Sequence, residues 1–551
     1  MKSNHQSKDA LLIDAKDNVA VALQNLKKNS IVTLDRSIEI KEDIQVKHKF
    51  ALQDLKVGVT IMMYGVIVGK VQKPILMGQM LTVENTNHFI GSLSEKNAEY
   101  LWVPPDSKDM ASTFSGYDRK DGTVGTSNYW LIVPMVFCQN RNLRVMKESL
   151  HKALGYSTNH YEDYVNQLVG AYESNSTKDV SDTADFSIHK KATTSKTFPN
   201  IDGIQFLNHD GGCGGDRHDS QTLVQLLAGY ICHGNVAGVT VLGLGCEHAQ
   251  FSHLEKAIHQ INPNIQKPIN FLSQQKEGTE EQLLKKAIKV TFEGLVEANK
   301  IKREEIDVSK LIVGVECGGS DGFSGISSNV VLGEVSDFFV KQGASVILSE
   351  FPELCGVEQE IVNRCNSSEI SERFLSLMAS YESLANSKGS SFSSNPSPGN
   401  IKDGLITDAI KSAGAVKKGG ASPIVAVLDY TEVLKTKGLN LLCTPGNDVE
   451  STTGLVASGA HLILFSTGLG TPTGNPIAPV IKVSSNTDLY QKMNDIIDFD
   501  AGPIIGGSVT PNELGKELHE LCIKVASGEQ STKAQILNQD DFILWKRGIS
   551  L

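Results

Sequence analysis

Residues 310–325 read KLIVGVECGGSDGFSG, and the organisation of the chain turns on where this stretch sits. Its first half is short, apolar and rich in β-branched residues without helical spacing, which predicts a buried strand. The strand stops at an acid, a cysteine, two glycines, a serine and an aspartate. In open parallel sheets, ligands gather outside the carboxyl ends of the strands, so the cluster reads as a site or as a tight turn. Glycine and cysteine alone suit close packing. Ser320 and Asp321 add polar groups that a dry core would not take, and favour a site wall.

The same pattern recurs on both sides of this stretch. From Trp130 the rhythm is strand, loop, helix: WLIVPMVFC before LRVMKESLHKALGY, GIQFLNHDGGCGG before SQTLVQLLAGYI, then GVTVLGLGCEHAQ, SVILSEFPELCG, PIVAVLDY, LNLLCTPGND, HLILFSTGLGTPTG and APVIKVSSNT. Apolar strands alternating with helices predict mostly parallel sheets covered on both faces, an α/β fold. Residues 8–90 differ. Short β-type runs such as SIVTL, IEIKEDIQV and VTIMMYGVIVG alternate with turns, which predicts a small β-rich domain. We place domains at 8–90, 110–275 and 285–551, with a proline- and glycine-bearing connector after the first. Residues 173–200 read as a solvated insertion, and 385–400 as a linker or a mobile lid.

At 551 residues the chain is too long for one core. Its formal charge of −11 argues against nucleic acid or an anionic membrane as partner. A small anionic substrate remains compatible, because a pocket sets its own field. The polar start has no signal-peptide core, and VGVTIMMYGVIVG is too short to span a bilayer, so the expected compartment is the cytoplasm. Nine scattered cysteines without a CxxC pair are not a secreted disulfide framework. Cys232, Cys365 and Cys522 read as core positions.

Several strand ends share one chemistry: His209 and Cys213; Cys246, Glu247 and His248; Glu316, Cys317, Ser320 and Asp321; Glu350 and Glu353; Asn447, Asp448 and Glu450. Each alone is more often a turn or a helix cap; together they converge on one edge of a parallel sheet. Imidazole, thiolate and carboxylate suit iron or zinc before magnesium. Scattered cysteines disfavour a structural zinc site, and without local spacing an iron–sulfur cluster has weak support. The turns STGLGTPTG and TPGNDVESTTG can offer N–H groups to an anion. GLGTPTG lacks the GK[ST] of a Walker loop, VLGLGCE lacks the third glycine of a dinucleotide fingerprint, and no GxSxG elbow is present.

At these residues the chain resembles the altronate and galactarate dehydratase family, closer to the altronate branch. The resemblance rests on GYDRKDGTVG, NHDGGCG, VLGLGCE, ECGGSDGFSGISSN, SEFPELCGVEQ, NPSPGN, the long LLCTPGNDVESTTGLVASGAHLILFSTGLGTPTG and IIDFDAG, and covers nearly the whole chain. It implies an N-terminal SAF (β-clip) domain before Rossmann-like α/β domains, and dehydration of a sugar acid to a 2-keto-3-deoxy acid. The implied cofactor is Fe2+, with Mn2+ or another divalent metal as the alternative, and the implied assembly a homodimer or larger. Removing a proton α to a carboxylate needs the developing enediolate to be held by a cation and donors, a base at C2 and an acid at the departing 3-hydroxyl. On this resemblance Cys213, Cys246 and Cys317 are candidate metal ligands, with His209 as ligand or general base. Glu316 and Asp321 are candidate acid/base groups. Ser320, Asn395, Ser397, Asn400 and Thr467 are candidate substrate contacts.

The chain departs from the family pattern at five places. Thr82 and Glu84 stand where the altronate branch has histidines, with Asn85 kept; Ser127 and Leu469 replace arginines, and Ile401 a lysine, with Lys402 adjacent. A charged group lost beside a substrate carboxylate removes about 1.5–3 kcal/mol per hydrogen bond. Three readings stay open: an active altronate dehydratase, a lyase for another or a sulfonated hydroxy acid, and a silent paralogue that binds a sugar acid or a partner.

Overall fold

The computed structural model describes residues 8–89, 91, 93, 96, 100–157, 161–173 and 195–549. Most of the insertion expected across 173–200 lies outside them. The N-terminal unit is built from short antiparallel strands, as the turn-rich pattern predicts. Its hairpin Thr60–Met63/Val66–Val71 turns through Tyr64 and Gly65, both at positive φ (58° and 76°), the geometry that matches strand twist in a two-residue loop. Asp17 holds the turn by accepting from Tyr64 N (3.1 Å) and Gly65 N (2.8 Å).

The second unit has four parallel strands, β1 (Tyr129–Pro134), β2 (Gly203–Phe206), β3 (Val236–Gly243) and β4 (Ile269–Ser273), in the order β2-β1-β3-β4. Helices α1 (Asn140–Leu154), α2 (Arg217–Cys232), α3 (Phe251–Ile261) and α4 (Glu280–Ala298) cover it. Leu283, Ala287 and Leu295 of α4 share one core with Trp130 and Ile132. A Cβ at Gly294 would lie 1.9 Å from the Trp130 ring, so only glycine admits this approach. The second unit therefore runs through α4, and the seam expected between residues 275 and 285 falls too early. An amphipathic pattern does not say which of two sheets a helix covers.

The third unit is a seven-stranded sheet in which every pairing is parallel: β5 (Ile312–Cys317), β6 (Ser345–Leu348), β7 (Ile424–Leu428), β8 (Gly438–Leu442), β9 (Leu462–Thr467), β10 (Val480–Ser484) and β11 (Phe499–Asp500), in the order β7-β8-β6-β5-β9-β10-β11. The chain leaves β5 toward β6, then crosses back to β9 on the other side. That reversal opens a crevice at the carboxyl ends of β5 and β9. The opening stretch forms β5 and the turn after it. Among the flanking helices are α5 (Ser328–Lys341), α6 (Ser368–Ser387), α7 (Asp448–Ala457) and α8 (Pro511–Ala526). Gly229 of α2 meets the backbone of Ala457 at the end of α7, where a Cβ would lie 2.4 Å from the carbonyl oxygen, and the two α/β units share a core there. The N-terminal unit docks on the third through Lys49 Nζ to Gly404 O (2.7 Å), Thr407 Oγ1 to Val68 O (2.9 Å) and the Lys47–Asp321 ion pair (2.8 Å). Among the described residues no helix is long and apolar enough to cross a membrane.

Candidate active site

β5 ends in Glu316 and Cys317, whose side chains leave opposite faces of the strand. On one face the Glu316 carboxyl accepts from Ser349 Oγ (2.7 Å) and Ser451 Oγ (2.6 Å), while its second oxygen is buried without a partner. On the other, the Cys317 thiol donates to Glu353 (2.9 Å) and accepts from Lys418 Nζ (2.8 Å). Lys418 also pairs with Glu350, and Lys411 with Glu353 (2.6 Å). Glu350 follows β6 in the left-handed region (φ 65°, ψ 63°), a conformation that non-glycine residues keep only when their surroundings fix it. Its N–H donates to Thr444 Oγ1 (2.8 Å), and its carboxylate accepts from Cys317 N (3.0 Å). Thr444 Oγ1 lies 2.8 Å from Ser451 Oγ, so a hydroxyl chain joins the Glu350 backbone to Glu316.

All of Glu316, Cys317, Glu350, Glu353 and Lys418 are buried, and charge balance sorts their protons. Burial, then Glu350, pushes Glu316 well above the usual carboxyl range. Burial, then Glu350 and Glu353, keeps Cys317 a thiol. Burial also works against an ionised Glu353, but Lys411 and Lys418 outweigh it and hold this carboxylate below its usual range. Burial opposes charge on Lys418 too, yet Cys317, Glu350 and Glu353 keep it firmly protonated. At the mouth, burial first and then Glu350 and Glu353 raise Asp448 to about 7. A Cβ on Gly318 would sit 2.2 Å from the Asp448 carboxylate; the glycine after Cys317 makes room for it. Neighbouring carboxyls with separated proton affinities are the equipment of acid–base chemistry.

The ligand atoms of Cys317, Glu350 and Glu353 lie within 4.8 Å of one another, as do those of His88, Cys355 and Asp408. The first group does not fit a resident divalent ion as it stands. The Lys418 ammonium already touches the Cys317 sulfur and Glu350, and Lys411 neutralises Glu353. The second group lies where the N-terminal unit meets the third, with His88 on Asp408.

The other expected site residues divide. Asn395 is at the cluster's rim, accepting from Lys411 Nζ (3.0 Å), and Gly446 lies beside Asn395 and Glu353. Ser397 and Asn400 form a capping box on a short helix, and Asn400 Nδ2 donates to Ser320 O (2.7 Å). Thr467 Oγ1 accepts from Gly470 N (2.9 Å). Asp321 accepts from Phe323 N, Ser324 N and Ser324 Oγ and pairs with Lys47, so the fold uses it in a turn and at a domain seam. His209 is buried in the second unit with both ring nitrogens engaged: Nε2 with Pro134 O (2.7 Å) and Nδ1 with Gly211 N (3.1 Å). Burial lowers its pKa to about 4. Cys213 and Cys246 lie at the second unit's sheet edge, on a different sheet from Cys317. Of the departures, Ser127 is buried and accepts from Arg119, Leu469 is partly exposed beside Gly319, Glu84 N donates to the Thr82 hydroxyl, and Ile401 sits in the short helix beside Lys402.

Sequence reasoning missed Lys411 and Lys418. They stand in DAIKSAGAVKKGG, where lysines read as the solvated side of a helix. The available signal was arithmetic: a buried cluster of acids needs cations from elsewhere.

The two sheet edges are neighbours. Burial, then Asp210 of the NHDGGCGG loop, raises Glu450 of α7 to about 7. The tail segment 540–549 runs between them, with Ile543 N on Thr453 Oγ1 (3.2 Å) and Arg547 N on Asp219 (2.9 Å). A cleft of about 740 Å3 lies nearby, bordered by Arg217, His218, His248, His253, Lys256 and Arg547. It borders the second unit's edge and the Asp429–Glu432 turn of the third rather than the Cys317 cluster.

A β-rich N-terminal unit and two parallel α/β units, with a buried charge-balanced acid–base cluster at a sheet's carboxyl edge, make an enzyme. The chain belongs to the altronate/galactarate dehydratase family. Three family models match in tandem: the altronate/galactarate dehydratase SAF domain over residues 8–88, the D-galactarate dehydratase/altronate hydrolase second domain over 116–299, and the D-galactarate/altronate dehydratase C-terminal domain over 308–550. The chain is 33% identical to the altronate dehydratase of Bacillus subtilis (strain 168), over 99% of this chain and 100% of that one. It is 31% identical to the altronate dehydratase of Escherichia coli (strain K12), over 98% and 99%. It is 30% identical to the galactarate dehydratase (L-threo-forming) of the same organism, over 94% and 92%.

Proposed function

We propose that this chain is a hydro-lyase that removes water from a sugar acid, altronate first, to give a 2-keto-3-deoxy acid, and that it works in the cytoplasm. One observation carries the chemistry. Burial holds the Glu316 carboxyl well above its usual range and raises Asp448 to about 7, Glu353 is held below its usual range, and the ammonium groups of Lys411 and Lys418 pair with Glu353 and Glu350. Dehydration needs a base at C2, an acid at the 3-hydroxyl and positive charge at the enediolate. Asp448, titrating near 7 at the start of α7, is matched to taking the C2 proton. Glu316, kept neutral by burial, supplies the proton with which the hydroxyl leaves as water. The enol then tautomerises to the 2-keto acid. Lys411, with Asn395 and Gly446 beside it at the rim, is placed for the substrate carboxylate.

Leu469 beside Gly319, where the family resemblance implies arginine, favours a second reading: the same elimination on a different hydroxy acid. A keto-acid endpoint assay on altronate, galactarate and related acids, run anaerobically with ferrous iron and reductant, separates the two. Product from altronate supports the main reading. Product from another acid alone makes the substitutions a change of specificity, and no product from any acid overturns both.

A further inference from the structure

Free cysteine is among the most buried residue types. Of nine cysteines here six are buried, and the three exposed ones, Cys138, Cys213 and Cys246, all follow the carboxyl ends of β1, β2 and β3, Cys138 in a 3-10 turn and the other two in loops. Their loops are tied together. Phe137 N donates to Gly211 O (3.1 Å) and Gln139 Nε2 to Gly243 O (3.2 Å), which fixes Cys138 between the other two loops. His248 N donates to Gly212 O (3.0 Å), which joins the Cys246 and Cys213 loops. Gly212 has φ 96°, and a Cβ there would fall 2.1 Å from Met135 O. No other residue lets the Cys213 loop come this close to the strand leading to Cys138.

Each thiol lies in the segment leading into a helix: Cys138 in the 3-10 turn before α1 at Asn140, Cys213 in the loop before α2 at Arg217, Cys246 in the loop before α3 at Phe251. Three helix N-termini meeting at one edge favour an anionic guest. The spacing says which kind. Among the described residues, the triads with ligand atoms within 4.8 Å of one another are the two already described, and the three thiols do not form one. They stand further apart than the shell of one ion requires. A cluster of several irons and sulfides spreads its thiolates more widely.

We propose that Cys138, Cys213 and Cys246 hold an iron–sulfur cluster through three thiolates. This replaces the grouping of Cys213 and Cys246 with Cys317, whose sulfur is already engaged by Lys418 and Glu353. It also reverses the weak standing of such a cluster in the sequence: the ligands are spaced by a sheet edge instead of by a short motif.

The test is anaerobic reconstitution of the full chain with ferrous iron and sulfide, followed by iron and acid-labile sulfide assays and visible absorption. The expected result is about four irons and four sulfides per chain for a cubane cluster, with a broad thiolate-to-iron band. C138S, C213S and C246S should each lose most of the band and bound sulfide while keeping, before reconstitution, the melting temperature of the metal-free parent, since each thiol is exposed; C317S should retain the band and the sulfide. Iron bound without sulfide, no iron bound, or a full cluster in the three serine variants would each overturn the proposal. The readout is metal and sulfide, so its failure leaves the dehydratase reading standing, and failure of turnover leaves the cluster standing.

Discussion

The ammonium nitrogen of Lys418 lies 2.8 Å from the sulfur of Cys317, and both residues are buried at the carboxyl edge of the seven-stranded sheet. The contact explains how an acid-rich strand end survives in a core. Lys418 neutralises Glu350, Lys411 neutralises Glu353, and burial keeps Glu316 protonated.

Removing one partner of such a network should be costly. Lys418→Met leaves Glu350 without its counter-ion, and stability should fall by about 3–5 kcal/mol, the usual cost of stranding a buried charge. Adding Glu350→Gln should recover much of it. Urea unfolding of the single and double variants checks this, and a single variant as stable as the parent would mean that the network carries no such charge.

Glu316→Gln is nearly isosteric with a carboxyl that is already neutral. Unfolding free energy should stay within about 1 kcal/mol of the parent, while kcat falls by about 10²–10⁴, the usual worth of a positioned proton donor. Steady-state kinetics beside a melting curve separate the two effects.

Asp448 should set the acidic limb of the rate profile. A base with pKa about 7 is mostly protonated at pH 6 and mostly ionised at pH 8, so kcat/KM should rise through this window. Asp448→Asn should depress the rate and abolish that limb. A limb unchanged in the variant would move the base elsewhere.

His88 reports on docking of the N-terminal unit. Its hydrogen bond to Asp408 raises its pKa from the ordinary 6.5, against the opposing effect of burial. A raised folded pKa stabilises below the unfolded value, and that stabilisation fades as pH climbs from 6.5 through the raised value. The melting-temperature gap between the parent and His88→Gln should be widest near pH 6 and narrow on the alkaline side; a gap that widens with pH contradicts the pairing.

The fold was legible where the pattern was local. Apolar runs such as LIVGV, SVILS and HLILFST became strands of one parallel sheet, and the short β runs of residues 8–90 became an antiparallel unit. The site was half legible. Glu316 and Cys317 stood out because polar groups ended an apolar strand, and Glu353 and Asp448 because they closed neighbouring loops. Lys411 and Lys418 did not, because a buried lysine and a solvated one look alike in a helix. His209 and Asp321 are held by backbone partners, an engagement that residue type does not disclose. Cys138 was passed over because VFCQN carries no polar cluster, and its kinship with Cys213 and Cys246 exists only across the sheet edge.

The most direct test of the account is single-batch turnover of altronate by the purified full chain, iron-loaded and anaerobic, followed by 2-keto-3-deoxy acid formation beside Glu316→Gln and Asp448→Asn. The expected result is stoichiometric keto acid from the parent and a loss of at least about 10² in rate in each variant. Full activity in both variants would contradict the assignment of the chemistry to the end of β5, and a folded, loaded parent that forms no keto acid from any sugar acid would contradict the account as a whole.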